Sequence, residues 1–300
     1  MKALVTGARG LLGAAIVREF AHDCEVVALA RRELDVTDDR AVNAAVGHHR
    51  PSIVINCAAY NNVDGAEDDP SAALRLNAFA VLSLSRAAAD AGATFVHFSS
   101  DFVFDGETDR PYVEEDRPSP RSVYGASKLL GDWFGLEAPH AYVLRVESLF
   151  GPPGPDGARR GSLGTIADRI RAGEEVPVFV DRTVSPTYTP DIARAVRRLV
   201  ERRAPAGLYH CVNTGAATWA TIAERAAAIL GKPLKMRPLT LETAALRARR
   251  PRYCAMSNAK LAAAGVVMQA WEDALEEFLS GGGNREQGSG NREQGIGNRE

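Results

Sequence analysis

Tyr124-Gly-Ala-Ser-Lys128 sets a phenol and an ammonium four residues apart, so that on a helix both side chains share one face. A free tyrosine titrates near pH ~10 and is a poor acid–base group at neutral pH. A neighbouring cation is expected to stabilise the phenolate and lower that pKa, which eases both donation and recovery of the proton. Lys128 can also hold a cofactor ribose. The spacing alone recurs by chance on many helices. It gains meaning from Ser99-Ser100-Asp101, which closes an apolar, strand-like run upstream. In open parallel sheets ligands gather at the carboxyl ends of strands, where a serine hydroxyl can bond a substrate carbonyl beside Tyr124. Ser100, Tyr124 and Lys128 are therefore the candidate catalytic set.

A cofactor site is written at the start of the chain. Thr6-Gly7-Ala-Arg9-Gly10-Leu11-Leu12-Gly13 lies between a short apolar run and a helical pattern. Gly7 permits the tight turn, Gly10 lets backbone approach a pyrophosphate, and Gly13 lets helix and strand pack closely. The helix start then offers free N–H groups to phosphate. Glycines also make ordinary turns, but this context of strand before and helix after is the one a dinucleotide site requires. An acidic residue ending the second strand would favour NAD; the chain instead has Ala30-Arg31-Arg32. Two guanidinium groups suit a 2′-phosphate, and Arg9 could add a third. NADP, as NADPH, is the expected cofactor, with NAD the alternative.

These residues need a scaffold, and the patterning supplies one. Apolar runs at Ala3–Val5, Glu25–Ala30, Ile53–Cys57, Phe95–Ser99 and Ala141–Val146 alternate with helical patterns at Leu11–Phe20, Asp38–Val46, Ser71–Ala91 and Ser122–Leu136. Thr37 and Asp38 are capping candidates and Pro51 ends that helix. The expected fold is α/β: a Rossmann, doubly wound parallel sheet with a smaller, interleaved α/β substrate-binding lobe. Residues 1–150, with returning segments around 181–213, form the NADP-binding domain; 151–180 and 214–279 form the second lobe. Gly151–Gly157 reads as a loop, Leu163–Ala172 as a helix and Val176–Val180 as extended. From Gly281 the chain repeats Asn-Arg-Glu-Gln-Gly with a seven-residue period, at Asn284 and Asn291 and again from Asn298, without an apolar seam. A disordered tail is expected.

Composition narrows the classes. The 300 residues are 45% hydrophobic with a formal charge of −2, giving no footprint for nucleic acid or anionic membrane. No apolar run approaches the roughly 20 residues that span a bilayer, and no signal-peptide pattern opens the chain. Cys24, Cys57, Cys211 and Cys254 are scattered, and the histidines fit no ligand spacing; free thiols, no metal and a cytoplasmic location are expected.

Together, the glycine turn, Asn56-Cys-Ala-Ala-Tyr60, Ser99-Ser-Asp-Phe-Val-Phe-Asp-Gly106 and Tyr124-xxx-Lys128 resemble the extended short-chain dehydrogenase/reductases. Leu34-Asp-Val-Thr-Asp38, Val63-Asp-Gly-Ala-Glu67, Ser185-Pro-Thr-Tyr-Thr-Pro-Asp191 and Arg249-Arg-Pro-Arg-Tyr253 are similar to blocks of the dTDP-4-dehydrorhamnose reductases within them. The resemblance runs from Met1 to about Leu279. It implies NADPH-dependent reduction of the 4-keto group of a nucleotide-linked 6-deoxyhexose, giving dTDP-L-rhamnose. It places Asp35 and Val36 at the adenine, Ala58, Ala59 and Tyr60 along the cofactor, and Asn77 in support of the fourth strand. Ser100, Asp101, Phe102, Val103, Glu147 and Ser148 would meet the substrate. The family often forms homodimers, and the sequence leaves the oligomeric state open.

The chain departs from the family where it commonly reads Thr-Ser-Trp: here Val146-Glu147-Ser148 loses a pocket aromatic and adds a carboxylate. Asn61 and Asn62 stand where a Thr and a small residue are usual. A changed sugar preference is expected. Two further readings resemble relatives of the same fold. A 4,6-dehydratase would carry an Asp-Glu pair, but Phe102 follows Asp101, and an epimerase would favour tightly held NAD. The other is an NADP-binding regulatory subunit like that of methionine adenosyltransferase, which turnover separates from an enzyme.

Overall fold

The computed structural model describes residues 1–155 and 161–281. The repeats from Asn284, and part of the Gly151–Gly157 loop, lie outside the described residues. The first lobe is a six-stranded sheet, every neighbouring pair of which is parallel. In chain order it begins with β1 (Lys2–Thr6), α1 (Leu11–Phe20), β2 (Glu25–Leu29), α2 (Asp39–His49) and β3 (Ile53–Asn56). Then come α3 (Val63–Asp68), α4 (Pro70–Leu74), a π-helical turn at Arg75–Phe79, α5 (Ala80–Asp90), β4 (Thr94–Ser100), α6 (Val123–Gly135) and β5 (Ala141–Val146). Buried on both faces, β3 and β5 are continuous rather than alternating in their burial, as parallel central strands must be.

The helix ends follow local chemistry. Asp38 accepts from the N–H groups of Arg40 and Ala41 to open α2, and Arg50, in the left-handed region at φ 46°, closes it before Pro51. Ser122 accepts from Gly125 N–H at 3.1 Å to open α6, fixing the start of the helix that carries Tyr124 and Lys128. The long helix expected over 71–91 is interrupted by the π turn. An apolar helical pattern does not reveal one extra residue in a turn, and such insertions often serve sites.

The second lobe continues with β6 (Leu149–Phe150), α7 (Gly161–Ala172), β7 (Glu175–Phe179), β8 (Thr183–Val184) and β9 (Thr187–Tyr188). After α8 (Thr189–Glu201) and β10 (Gly207–His210) come β11 (Ala217–Thr218), α9 (Trp219–Leu230), β12 (Lys235–Leu239), α10 (Ala259–Ala263) and α11 (Trp271–Leu279). A separate core of Phe150, Leu163, Ile166, Val184, Tyr188, Trp219, Ile222, Trp271 and Leu275 holds this lobe together. The return to the first lobe starts with α8, because Val184 and Tyr188 pack in the second core while Ile192, Val196 and Leu199 pack with Ile16 and Phe20 of α1. Leu261, Val266 and Met268 join that first core too. β10 extends the sheet beside β5, giving the order β10-β5-β4-β3-β1-β2. The order reverses between β1 and β3, so the crevice for a ligand opens over their carboxyl ends.

Candidate active site

A cleft of about 920 Å³ lies over that crevice. Of the residues expected at the cofactor it is lined by Gly7, Arg9, Gly10, Arg31, Arg32, Asp35, Val36, Ala58, Ala59 and Tyr60. Gly7 has φ 63°, and a Cβ there would sit 2.6 Å from Ala58 N; a Cβ on Gly13 would sit 2.3 Å from the Gly7 carbonyl oxygen. The turn is thus a cradle that any side chain would fill. α1 starts at Gly10 with no side-chain cap, so its first N–H groups are left for an anion. These features fit a dinucleotide pyrophosphate.

Four arginines line the cleft: Arg9, Arg31, Arg32 and Arg75. The two nearby carboxylates are turned to their own backbone. Asp35 accepts from Thr37 N–H at 3.0 Å and from its hydroxyl at 2.7 Å, which holds its pKa low, and Glu33 accepts from Ala30 N–H at 2.9 Å. Arg75, which lines the cleft beside Ala72 and Leu76, carries no signal in the sequence. Leu11, Leu12 and Gly13 are not part of the lining. Leu12 is in the core, so that segment offers backbone rather than side chains. Asn77 is also a step behind the lining. It accepts from Tyr60 N–H at 2.8 Å and donates to the Tyr60 carbonyl and to Ser127 Oγ. It therefore braces the loop after β3 against α6, and its side-chain bonds do not reach the fourth strand as expected.

Ser100, Tyr124 and Lys128 come together at the carboxyl end of β4, exposed by only 6%, 8% and 2%. Lys128 Nζ donates to the Phe98 carbonyl at 2.6 Å. The Ser100 hydroxyl donates to Asp101 Oδ1 at 2.7 Å and accepts from Phe102 N–H at 3.2 Å. The expected fall in the Tyr124 pKa does not occur. Burial first, then the Asp101 carboxylate, push it up, with Ser100 opposing them, while Lys128 is turned to a carbonyl. Burial lowers Lys128 to about 8, so it remains largely charged at neutral pH. Tyr124 is accordingly a phenol that keeps its proton until a stronger base, such as an alkoxide, forms beside it.

The remaining substrate candidates separate. Phe102 packs edge-on against Tyr124 at 5.3 Å, with the guanidinium groups of Arg182 and Arg250 over its ring at 5.3 and 5.7 Å. Val103 has no exposed surface and packs with Phe104, Tyr112 and Leu129, so it faces a core, not a substrate. Ser148 is half-buried in the left-handed region at φ 46°. Glu147, expected to alter the sugar pocket directly, is 2% exposed and accepts from Ser185 N–H at 2.7 Å. Asp101, Glu147 and Cys254 place ligand atoms within 4.8 Å of one another, a grouping of metal-ligand type that no sequence spacing showed. Here the guanidinium of Arg182 supplies the positive charge, 3.4 Å from both Asp101 and Cys254. Burial raises the pKa of both carboxyls, and Asp101 raises that of Glu147 further.

Two residues of the Val63–Glu67 block prove to be fasteners. Asp64 bonds Arg250 at 2.8 Å and accepts from Ala248 N–H at 3.0 Å, tying the second lobe to the first turn of α3. Glu67 accepts from Val123 N–H at 2.9 Å, one residue before Tyr124. At the carboxyl end of β3, Asn56 accepts from the Thr6 hydroxyl and Ala58 N–H and bonds His97 in one network.

The sheet order, the glycine cradle and the Ser–Tyr–Lys grouping define a Rossmann-fold oxidoreductase of the extended short-chain dehydrogenase/reductase type. Comparison with known proteins narrows this. The family model described as RmlD substrate binding domain matches residues 1–282. A protein of Streptomyces griseus named dTDP-4-dehydrorhamnose reductase is 37% identical over 284 residues, covering 91% of each chain. A probable dTDP-4,6-dihydroxy-2-methyloxan-3-one 4-ketoreductase of Streptomyces antibioticus is also 37% identical, over 92% of this chain and 94% of its own. The solved structure of a Bacillus anthracis dTDP-4-dehydrorhamnose reductase in complex with NADP superposes with a TM-score of 0.88 at 30% identity, covering 93% of this chain and 99% of that one. This chain belongs to the RmlD family.

Proposed function

We propose that this enzyme reduces the 4-keto group of a nucleotide-linked 6-deoxyhexose, with dTDP-4-dehydrorhamnose the preferred substrate and dTDP-L-rhamnose the product. The observation that carries the reading is the meeting of Ser100, Tyr124 and Lys128 at the end of β4, in a chain whose relatives bear that activity in their names. NADPH is the cofactor that the arginine-lined cleft fits, and when bound it supplies a hydride. Arg31 and Arg32 hold its 2′-phosphate, the glycine turn and the start of α1 its pyrophosphate, and Lys128 its nicotinamide ribose. Ser100 bonds the substrate keto oxygen. Tyr124 gives its proton to that oxygen as negative charge develops there, and Phe102 keeps the phenol in place. Glu147 acts on sugar choice from behind, through Arg182 and the Ser185 backbone, while Ser148 stands where an aromatic wall is usual. Among the described residues no helix is long and apolar enough to cross a membrane. With free thiols throughout, we place the reaction in the cytoplasm.

The test is NADPH oxidation with a panel of dTDP- and UDP-linked 4-keto sugars, run beside Tyr124→Phe. Turnover should be greatest with dTDP-4-dehydrorhamnose. Tyr124→Phe should abolish it while NADPH affinity stays within a few fold. NADPH binding without turnover of any 4-keto sugar would overturn the reading.

A further inference from the structure

Beneath α6 lies a set of buried ionisable groups to which the reduction gives no part. Asp132 follows Lys128 by one helical turn, so Tyr124, Lys128 and Asp132 lie in register on the face of α6 that meets the sheet. Asp132 is 1% exposed. From β5, Arg145 bonds Asp132 Oδ2 at 2.9 Å, with its guanidinium over the Phe104 ring at 5.0 Å. From β4, the Ser99 hydroxyl faces Asp132, and His97 faces Lys128. Burial, and then the Lys128 charge, drive the His97 pKa well below its usual value; His210 of β10, beside Arg145, is driven to about 3. Both histidines are neutral at physiological pH. The charges that act on Lys128 and Asp132 here are therefore those of the two residues themselves and of Arg145, while Glu114 and Asp116 act on His210 at the far side.

We propose that Asp132 is a positioning residue that keeps Lys128 an ammonium ion while it is sealed inside the protein, and that Arg145 keeps Asp132 ionised for that purpose. A buried lysine tends to lose its proton, and a lone buried carboxylate tends to gain one. Two features oppose this at Lys128: the Phe98 carbonyl at 2.6 Å and the negative charge of Asp132 one turn away. The carbonyl accepts from amine and ammonium alike, so it orients the group more than it charges it. Asp132 discriminates between the two states. With its charge removed, Lys128 titrates through neutral pH and a fraction becomes a neutral amine, weakening its hold on a ribose hydroxyl. Arg145 completes the order of dependence, because burial raises the Asp132 pKa and the charge and hydrogen bond of Arg145 oppose that rise.

The inference rests on Lys128 holding the cofactor, and its test needs no sugar. NADPH affinity is measured by fluorescence across the pH range, with Lys128→Met marking the Lys128-dependent part. The wild-type protein should show a Lys128-dependent loss of affinity centred near 8. Asp132→Asn should move that midpoint down by about one pH unit or more, and so weaken binding up to about tenfold between the two midpoints. Asp132→Glu, which keeps the charge, should restore most of it; a merely structural role would not give this pattern. Since Asp132→Asn strands a buried guanidinium, Asp132→Asn with Arg145→Gln is made in parallel and should show the same downward shift. A folded single or double variant with the wild-type midpoint overturns the proposal, as does a wild-type profile with no Lys128-dependent step. The expected shifts without turnover of any 4-keto sugar would reject the sugar reaction alone.

Discussion

Replacing Lys128 by methionine should make the cofactor-free protein more stable while removing its turnover. The side chain is 2% exposed, and burial brings its pKa from 10.5 to about 8. That difference corresponds to roughly 3 kcal/mol by which the folded state disfavours the charged form at neutral pH. Methionine has nearly the same length and carries no charge, so it removes this cost with little change in packing. It also gives up the 2.6 Å bond to the Phe98 carbonyl, a loss of about 1 kcal/mol. The net gain at pH 7 is therefore about 2 kcal/mol. Its pH dependence is fixed in sign. Between about 8 and 10.5 the unfolded lysine is protonated and the folded one is not. The stability of the wild-type protein should rise with pH across this window and level off above it. The advantage of Lys128→Met should shrink over the same window. Urea unfolding of both proteins at pH 7 and about pH 10 measures this directly, provided the m-values agree. A variant less stable than wild type at pH 7, with a parallel pH dependence, would refute the reasoning.

Arg31→Ala combined with Arg32→Ala should weaken NADPH by about a hundredfold, from two charge-assisted bonds to phosphate, and NADH only a few fold; titration of both cofactors checks it, and equal losses would count against the 2′-phosphate assignment. Gly13→Ala should destabilise the protein by about 1–3 kcal/mol and weaken NADPH with it, since its Cβ meets the Gly7 carbonyl oxygen at 2.3 Å and backbone must move; thermal unfolding and cofactor titration report the two effects. Asp64→Ala should cost about 1 kcal/mol and raise KM for the sugar more than it lowers kcat, because it unties Arg250 and the Ala248 backbone without touching Tyr124; an unchanged KM would place the second lobe's alignment elsewhere.

Much of the framework was legible because it is governed by local rules. The run into the glycine turn, the Asp38 cap and the strand at Ala141–Val146 each follow from a few neighbouring residues. What escaped depends on distant partners. Glu147 reads as a new pocket wall until Arg182 and Cys254 arrive from the second lobe and draw it inward. Val103 sits in a motif shared with site residues, yet a short 3₁₀ turn rotates it into the core. Asn77 and Arg75 lie in a π turn inside an apparently regular helical pattern. The Tyr124 pKa runs against the expectation because helical spacing gives adjacency to Lys128 but not direction, and direction decides whether the ammonium meets the phenol or a carbonyl.

The late return of the chain to its first lobe bears on the order in which the protein can be made. β10 is the outer partner of β5, and α8 covers α1, yet both are translated after most of the second lobe's α7–β9 segment. A ribosome that has delivered only the first 150 residues has released a sheet with the β5 edge unpaired and the apolar face formed by Ile16 and Phe20 uncovered. Such an intermediate exposes a template for strand addition by another chain until His210 emerges. Truncation before β10 should therefore yield aggregates rather than a smaller cofactor-binding unit, and synthesis in the cell should draw on chaperones during that interval.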